Sequence, residues 1–255
     1  MDMKKLMLIG ILVAGILCNI EGSLFCQEKL SPLWQKSEEK GFIFPAFSKD
    51  IPDTVYQVAQ KLFRTRWMSS AMQGGSSFSS VSSDTAVDIN DIILSDKPIR
   101  VLLIFAEDIV NCESGNDVLS KARFRYYTFL VLHNEKSIGA IHIYKDENWK
   151  MFGYGRCSKG ENKYISELRD MYPESDGYQV DLLGLSLGPS AYWITLISNR
   201  EKEEYLVTTR SKTTARVFDL VTYGEEKWRP VPLDDLLPGF IEKAIKAKKN
   251  KKGIR

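Results

Sequence analysis

Histidine and cysteine, the residues most often used as bases and nucleophiles, are scarce in this chain. Its two histidines are His133 and His142, and Cys112 and Cys157 are the cysteines beyond the N-terminal segment. A cysteine nucleophile needs a neighbouring base that removes its proton. In the predicted hairpin, His133 lies at the same end as Cys157, whereas His142 lies several residues away. A His133–Cys157 pair is therefore the cysteine arrangement that the spacing leaves open for catalysis.

A serine nucleophile is the second catalytic possibility, because residues 184–188, GLSLG, match the pattern G-x-S-x-G. In enzymes that use this pattern, the serine closes a strand and a helix follows directly. Here Pro189 and another apolar strand follow Ser186, so we expect the match to be coincidental. Asp181, which interrupts an apolar strand, is a further candidate site residue. The sequence has no HExxH or other paired-ligand motif, and we expect no metal and no cofactor.

Aromatic side chains on the predicted strands are a stronger feature than these catalytic candidates. Tyr144, Trp149 and Tyr154 lie on neighbouring strands, and His142 shares a strand face with Tyr144. Exposed tyrosine and tryptophan on a sheet favour recognition of a ligand or a protein. These four are our predicted ligand-binding residues. The alternative is that they all pack beneath helices as ordinary core.

The elements that must position these residues follow from hydrophobic periodicity and turn-like breaks. The predicted strands are residues 99–105, 126–132, 138–144, 149–154, 178–187, 192–198 and 204–209. Short polar breaks predict two antiparallel meanders, at 126–154 and 178–209. Helices are predicted at 54–68, 162–172 and 233–249, and residues 215–223 fit either helix or strand.

This clustering of strands predicts an α+β fold rather than a parallel α/β sheet. In that fold, antiparallel meander sheets pack with an N-terminal amphipathic helix, a short middle helix and a C-terminal helix.

The N-terminal segment predicts export. Lys4 and Lys5 precede an apolar run at residues 6–18, which is the layout of a signal peptide and is short for a membrane-spanning helix. We expect residues 1–22 to be removed. A cut as late as residue 26, an uncleaved anchor and a lipidated cysteine are the alternatives. In an oxidising compartment, a Cys112–Cys157 disulfide is expected, and two buried free thiols are the alternative.

The rest of the chain divides by composition. Residues 27–85 hold an extended arm, the amphipathic helix and a Ser/Gly-rich loop, residues 86–249 form the α+β domain, and residues 250–255 form a basic tail. The signal segment and the basic tail are the two places where we expect membrane contact to be possible.

Composition and net charge limit the classes of function that the chain can have. The chain has 255 residues, 44% of them hydrophobic, and a formal net charge of +2, from which we expect no nucleic-acid partner. We interpret it as an exported, periplasmic or secreted, non-catalytic protein that binds a protein or an envelope ligand through an aromatic sheet face. The alternative is an envelope hydrolase that uses a cysteine or serine nucleophile with His133.

Overall fold

The computed structural model describes residues 44–67, 91–145, 148–155, 160–187 and 191–252. The predicted signal peptide, most of the extended arm and the Ser/Gly-rich loop lie outside the described residues, and so does Cys157. Within the described part of the chain, no helix is long and apolar enough to cross a membrane.

The described strands form a single mixed sheet. Its strands are β1 Ile92–Leu94, β2 Ile99–Phe105, β3 Arg123–His133, β4 Lys136–Lys145, β5 Trp149–Gly155, β6 Gln179–Ser186, β7 Ala191–Asn199, β8 Glu204–Thr208 and β9 Val231–Pro232. Their order in the sheet is β5-β4-β3-β2-β6-β7-β8-β9, and β1 pairs with β3 away from this path.

Both predicted meanders are confirmed. Strands β3, β4 and β5 pair antiparallel in sequence order, and so do β6, β7 and β8. The β3–β4 hairpin turns through Asn134 and Glu135, which both have positive φ (48° and 61°). Two residues of positive φ make the tight turn that matches the twist of antiparallel strands. One pairing was not predicted: β2 runs parallel to β6 and joins the two meanders into one sheet.

Helices cover both sides of this sheet, so the α+β prediction is confirmed. The described α-helices are α1 Asp53–Leu62, α2 Ala106–Ile109, α3 Gly115–Lys121, α4 Glu161–Met171, α5 Lys212–Phe218 and α6 Leu233–Lys252. Serine side chains cap α3 and α5, through Ser114 and Ser211. Helix α5 includes residues 215–218 of the segment that fitted either helix or strand, and residues 219–223 form neither. A π-helical turn, Phe63–Trp67, extends α1.

Alternation along the strands divides the buried side chains between two sheet faces. The first face carries two apolar clusters: one lies under α2, α3, α5 and α6, and the other lies under α1. The second face carries one cluster, which includes Leu130 and Ala140 and packs against Tyr164, Ile165 and Leu168 of α4. Among the described helices, five cover the first face, and α4 covers part of the second.

The junction between the meanders holds a buried ion pair. Arg100 of β2 and Asp181 of β6 are direct partners in the parallel register. Two hydrogen bonds join them, Nε to Oδ1 at 2.9 Å and Nη2 to Oδ2 at 2.5 Å, and Arg100 also donates to the carbonyl oxygen of Phe44. Burial lowers the pKa of Arg100, but the Asp181 carboxylate outweighs this and the net pKa is raised, so the guanidinium stays charged. This pair explains why an acidic residue interrupts an apolar strand.

Candidate functional site: an open sheet face

The part of the second sheet face that lies beyond α4 is the candidate site. Register places its side chains on one surface, where they are half-buried or exposed. We call this surface the open face and define it by Leu103, Phe105, Arg123, Arg125, Tyr126, His142, Tyr144 and Trp193. It spans β2, β3, β4 and β7, with β6 between β2 and β7.

Trp193 provides a supported aromatic surface on the open face. It pairs with Gly184 across β6 and β7. A Cβ atom added to Gly184 would lie 2.9 Å from Trp193 Cζ3 and 2.9 Å from Leu103 Cδ1. The six-membered ring of Trp193 therefore lies over the glycine, in space that any other residue would fill. The residue remains 37% exposed, so the outer side of the ring faces solvent.

Two arginines of β3, Arg123 and Arg125, pack against the aromatic ring of Phe105 on the neighbouring strand β2. The guanidinium carbons of Arg123 and Arg125 lie 5.0 Å and 5.4 Å from the centroid of the Phe105 ring. A shift in the β2–β3 register between Val101 and Leu102 accounts for Arg125 reaching the same side as Arg123. Arg123 Nη2 also lies 3.3 Å from Asp108 Oδ2, in an ion pair that remains partly exposed. Contact with the Phe105 ring positions both guanidinium groups on this side of the sheet, and the ion pair with Asp108 further holds that of Arg123.

Predicted site residues His142 and Tyr144 do lie on the open face. Nδ1 of His142 is 3.0 Å from the hydroxyl oxygen of Thr128, and its ring centroid is 4.9 Å from that of Tyr126. Burial lowers the pKa of His142 from 6.5 to about 4, so the imidazole is neutral near pH 7. A neutral, packed imidazole contributes ring surface and hydrogen bonding to the site rather than charge.

Trp149 lies on the opposite side of the sheet from these residues. It pairs with Lys145, and its ring contacts those of Phe44 (centroids 6.2 Å apart) and Tyr127 (5.6 Å). It packs against the apolar cluster beneath α1. Tyr154 pairs with Ile141 in the register, and its side chain lies outside the described residues. The structure thus divides the predicted ligand-binding set, because Trp149 packs with the core instead of joining His142 and Tyr144.

The catalytic candidates that the structure describes, His133, Asp181 and Ser186, do not form one group, because His133 ends β3 and the other two lie on β6. His133 ends β3 and is half-buried beside Asn134, while Cys157, its possible partner, lies outside the described residues. Ser186 ends β6 and pairs with Ala191 of β7 in an antiparallel hairpin. A hairpin is not the strand-to-helix turn that exposes the serine nucleophile of enzymes with this pattern, so Ser186 lacks that structural context. The carboxylate of Asp181 forms the buried ion pair with Arg100.

Cys112 is a free, buried thiol in the structure. Its Sγ donates a hydrogen bond to the carbonyl oxygen of Asp108, 3.4 Å away. Burial, with a smaller contribution from Asp117 and Asp108, raises the pKa of this thiol, and Lys121 opposes the shift in part. The structure therefore shows Cys112 without the predicted disulfide bond, whereas Cys157 lies outside the described residues.

Among the described residues, no group of three or more histidine, cysteine or acidic side chains is arranged to hold a metal ion.

Sequence reasoning missed Phe105, Arg123, Arg125 and Trp193 as site residues. Alternation in the run RFRYY at 123–127 could have indicated a basic and aromatic strand face. The parallel pairing of β2 with β6, which brings the other residues of the surface together, has no signature in the local sequence.

No family model, curated protein or solved structure matches this chain.

Proposed function

We propose that this chain is an exported, non-catalytic binding protein that recognises its partner through the open face. The observation that carries the proposal is the ring of Trp193, which rests on Gly184 and exposes its outer side. Isolated surface tryptophans need no function. Here, however, the ring belongs to a surface with further aromatic side chains and two arginines, a composition enriched in binding interfaces.

The proposal of export rests on the sequence of residues 1–22 alone. An intact mass of the protein recovered from its native cells tests it directly. A chain beginning after residue 22 or after residue 26 supports export with cleavage. A full-length chain in the cytoplasmic fraction overturns this part of the proposal and leaves the binding part standing.

Site-specific photo-crosslinking tests the binding part. In the native cell, a photoreactive amino acid replaces Ala191, which is exposed on β7 two residues before Trp193 and therefore on the same side of the sheet. Met171, which is 47% exposed on α4, receives the same probe as the matched control position. We expect a discrete adduct from position 191 that is absent from position 171. The adduct should disappear when Arg123 and Arg125 are both changed to glutamine. Equal adducts at both positions, or no adduct at 191, would overturn the proposal.

A further inference from the structure

We propose that the outer side of helix α6 binds the surface of an anionic lipid bilayer, with its lysines among the headgroups and Ile245 inserted beneath them. We call this side of the helix the basic face and define it by Lys243, Ile245, Lys246, Lys248 and Lys249. The inference does not depend on the open face, because α6 packs on the first face of the sheet. It extends the membrane contact expected of the basic tail to the helix that precedes it.

The packing of α6 leaves one long side of the helix outside the core. Leu237, Phe240 and Ala244 are buried in the cluster on the first sheet face, and they recur at intervals of three and four residues. That spacing places them on one side of an α-helix. Every residue that defines the basic face is exposed, and the exposed fraction of Ile245 is 41%. The basic face is therefore accessible to a partner.

Positive charge is concentrated on this face. Residues 242–249 contain four lysines and one acidic residue, Glu242, a formal charge of +3 that exceeds the +2 of the whole chain. The hydrogen bond that Lys246 donates to Glu242, with the charges of Lys246 and Lys243, lowers the pKa of Glu242. Among the described residues, no acidic side chain lies within ion-pair distance of Lys243, Lys248 or Lys249. Three ammonium groups are thus available to an anionic partner.

Acidic residues of the adjoining elements do not neutralise the basic face. Helix α2 packs against α6 and carries Glu107 and Asp108, of which Asp108 pairs with Arg123. The face keeps a net positive charge even when Glu107 is counted against it. Asp234 and Asp235 lie in the first turn of α6, which at 1.5 Å per residue is about 12 Å or more from the lysines. At physiological salt, charges more than about 8 Å apart are largely screened from each other.

The helix dipole does not account for the basic face. Cations near a helix C-terminus are favourable, but the effect is confined to the last turn. Because α6 ends at Lys252, Lys243 and Lys246 lie more than one turn before its end. An exposed isoleucine among the lysines has no part in that effect.

Ile245 gives the basic face an apolar contact that suits a membrane. Residues three and four positions apart are neighbours on a helix surface, so Ile245 lies beside Lys248 and Lys249. An open cavity of about 200 Å³ is lined by these three residues and Val110. Lysine covers apolar surface with its methylene groups while its ammonium stays in the polar layer. An isoleucine among lysines therefore matches the boundary between headgroup phosphates and acyl chains.

A soluble polyanion is the competing partner, and the basic face favours the bilayer. All four cations are lysines, which act as flexible point charges and lack the rigid fork with which arginine recognises a single phosphate. A soluble polyanion would gain nothing from Ile245, whereas a bilayer buries it.

Cosedimentation with lipid vesicles tests the inference, using the full chain as it is recovered from its native cells. The probes are vesicles of phosphatidylcholine alone and of phosphatidylcholine with about 30% phosphatidylglycerol. Neutral vesicles measure the contribution of the apolar run at residues 6–18, which does not depend on lipid charge. We expect tighter binding to the anionic vesicles, and we expect the difference to decrease as salt is raised.

Two variants separate the charge of the basic face from its apolar contact. Lys248→Gln with Lys249→Gln should weaken binding to anionic vesicles by about 25-fold, since each lysine near such a surface contributes about fivefold. Ile245→Gln should weaken binding by about three- to tenfold and leave the salt dependence unchanged, because it removes apolar contact but no charge.

The matched control is Lys136→Gln with Lys163→Gln, which removes two exposed lysines from the β3–β4 hairpin and α4. It should stay within about twofold of wild type, and urea denaturation verifies that every variant folds. Equal binding to neutral and anionic vesicles, or equal weakening by the control pair, would overturn the inference. An unchanged affinity of Ile245→Gln would assign the basic face to a soluble polyanion and would also overturn it.

Failure of this inference is distinguishable from failure of the proposed function. The crosslink from position 191 reports on the open face, and vesicle binding reports on α6. A crosslink that persists without vesicle binding overturns the membrane contact alone.

Discussion

Trp193 and Gly184 are cross-strand partners in which the glycine makes room for the ring. The Cβ atom of any larger residue at position 184 would lie 2.9 Å from Cζ3 and 3.0 Å from Cη2 of the indole. An aromatic ring that covers a strand glycine compensates for the missing side chain, so the two residues depend on each other. The exposed aromatic surface of the open face is thus a property of this pair rather than of Trp193 alone.

Gly184→Ala should displace the ring of Trp193 and destabilise the fold. Overpacking of this kind costs about 1–3 kcal/mol of unfolding free energy, measurable by urea denaturation. The matched control is Gly153→Ala on β5, where an added Cβ meets nothing within 4 Å. We expect the control to be neutral or slightly stabilising, since alanine is favoured over glycine within a strand. Equal destabilisation by both changes would contradict the described position of the ring.

Trp149 and Trp193 should respond differently to truncation. Trp149→Ala removes a ring that packs against Phe44, Tyr127 and the cluster beneath α1, and we expect a loss of about 3 kcal/mol in unfolding free energy. Trp193→Ala removes a partly exposed ring and should cost about 1 kcal/mol. Chemical denaturation of both variants provides the comparison. A larger loss for Trp193 would mean that its ring is core and that the open face is covered.

Asp181→Asn should strongly destabilise the sheet at the junction of the two meanders. It leaves the buried guanidinium of Arg100 without its counter-ion, and breaking a buried pair in this way costs about 3–5 kcal/mol. Lys163→Gln is the control, because Lys163 pairs with Glu167 at the surface of α4 and such pairs contribute about 0.5 kcal/mol. Urea midpoints of the two variants that coincide would show that the Arg100–Asp181 pair is accessible to water.

Local sequence patterns predicted the two meanders and the main helices well. Alternating apolar residues and short polar turns specify antiparallel neighbours, because only a few residues separate the paired strands. The parallel pairing of β2 with β6 could not be predicted this way. Arg100 and Asp181 are partners across a long stretch of chain, and neither residue type by itself indicates the other.

The candidate site was only partly predictable for the same reason. Alternation within β4 correctly placed His142 and Tyr144 together, since it depends on one strand. Trp149 was grouped with them because it lies on the next strand, yet the β4–β5 register pairs it with Lys145 and directs it to the other face. Phe105, the arginines and Trp193 meet only when β2, β3, β6 and β7 are assembled, so no local spacing could reveal them.

His142 should make stability depend on pH between about 6.5 and 4. Its pKa is about 4 in the folded protein and about 6.5 when unfolded, so the unfolded chain binds the proton first as pH falls. Above pH 6.5 the imidazole of His142 is neutral in both states, and its burial does not reduce the free energy of unfolding. As pH falls below 6.5, proton binding to the unfolded chain decreases the free energy of unfolding. Between pH 7.5 and 5.5 we expect a loss of about 1 kcal/mol in unfolding free energy, measured by urea denaturation.

The variant His142→Gln should largely remove this dependence, while His133→Gln retains it. Carboxylates titrate mostly below the chosen pH interval, which isolates the histidine contribution. An unchanged pH dependence in His142→Gln would show that the imidazole is solvated.

Cys112 should be protected from alkylation in the native protein. Its side chain is buried, its thiol donates to Asp108, and burial raises its pKa, so both access and thiolate formation are disfavoured. Without any reductant, iodoacetamide should leave Cys112 unmodified in the folded protein and label it after unfolding in urea, as read by peptide mass mapping. This result would support the alternative of free buried thiols. Labelling that requires reduction of the unfolded chain would instead show that Cys112 is disulfide-bonded, because only a covalent bond would protect it after its burial is lost, and a linked peptide containing Cys157 would establish the Cys112–Cys157 disulfide.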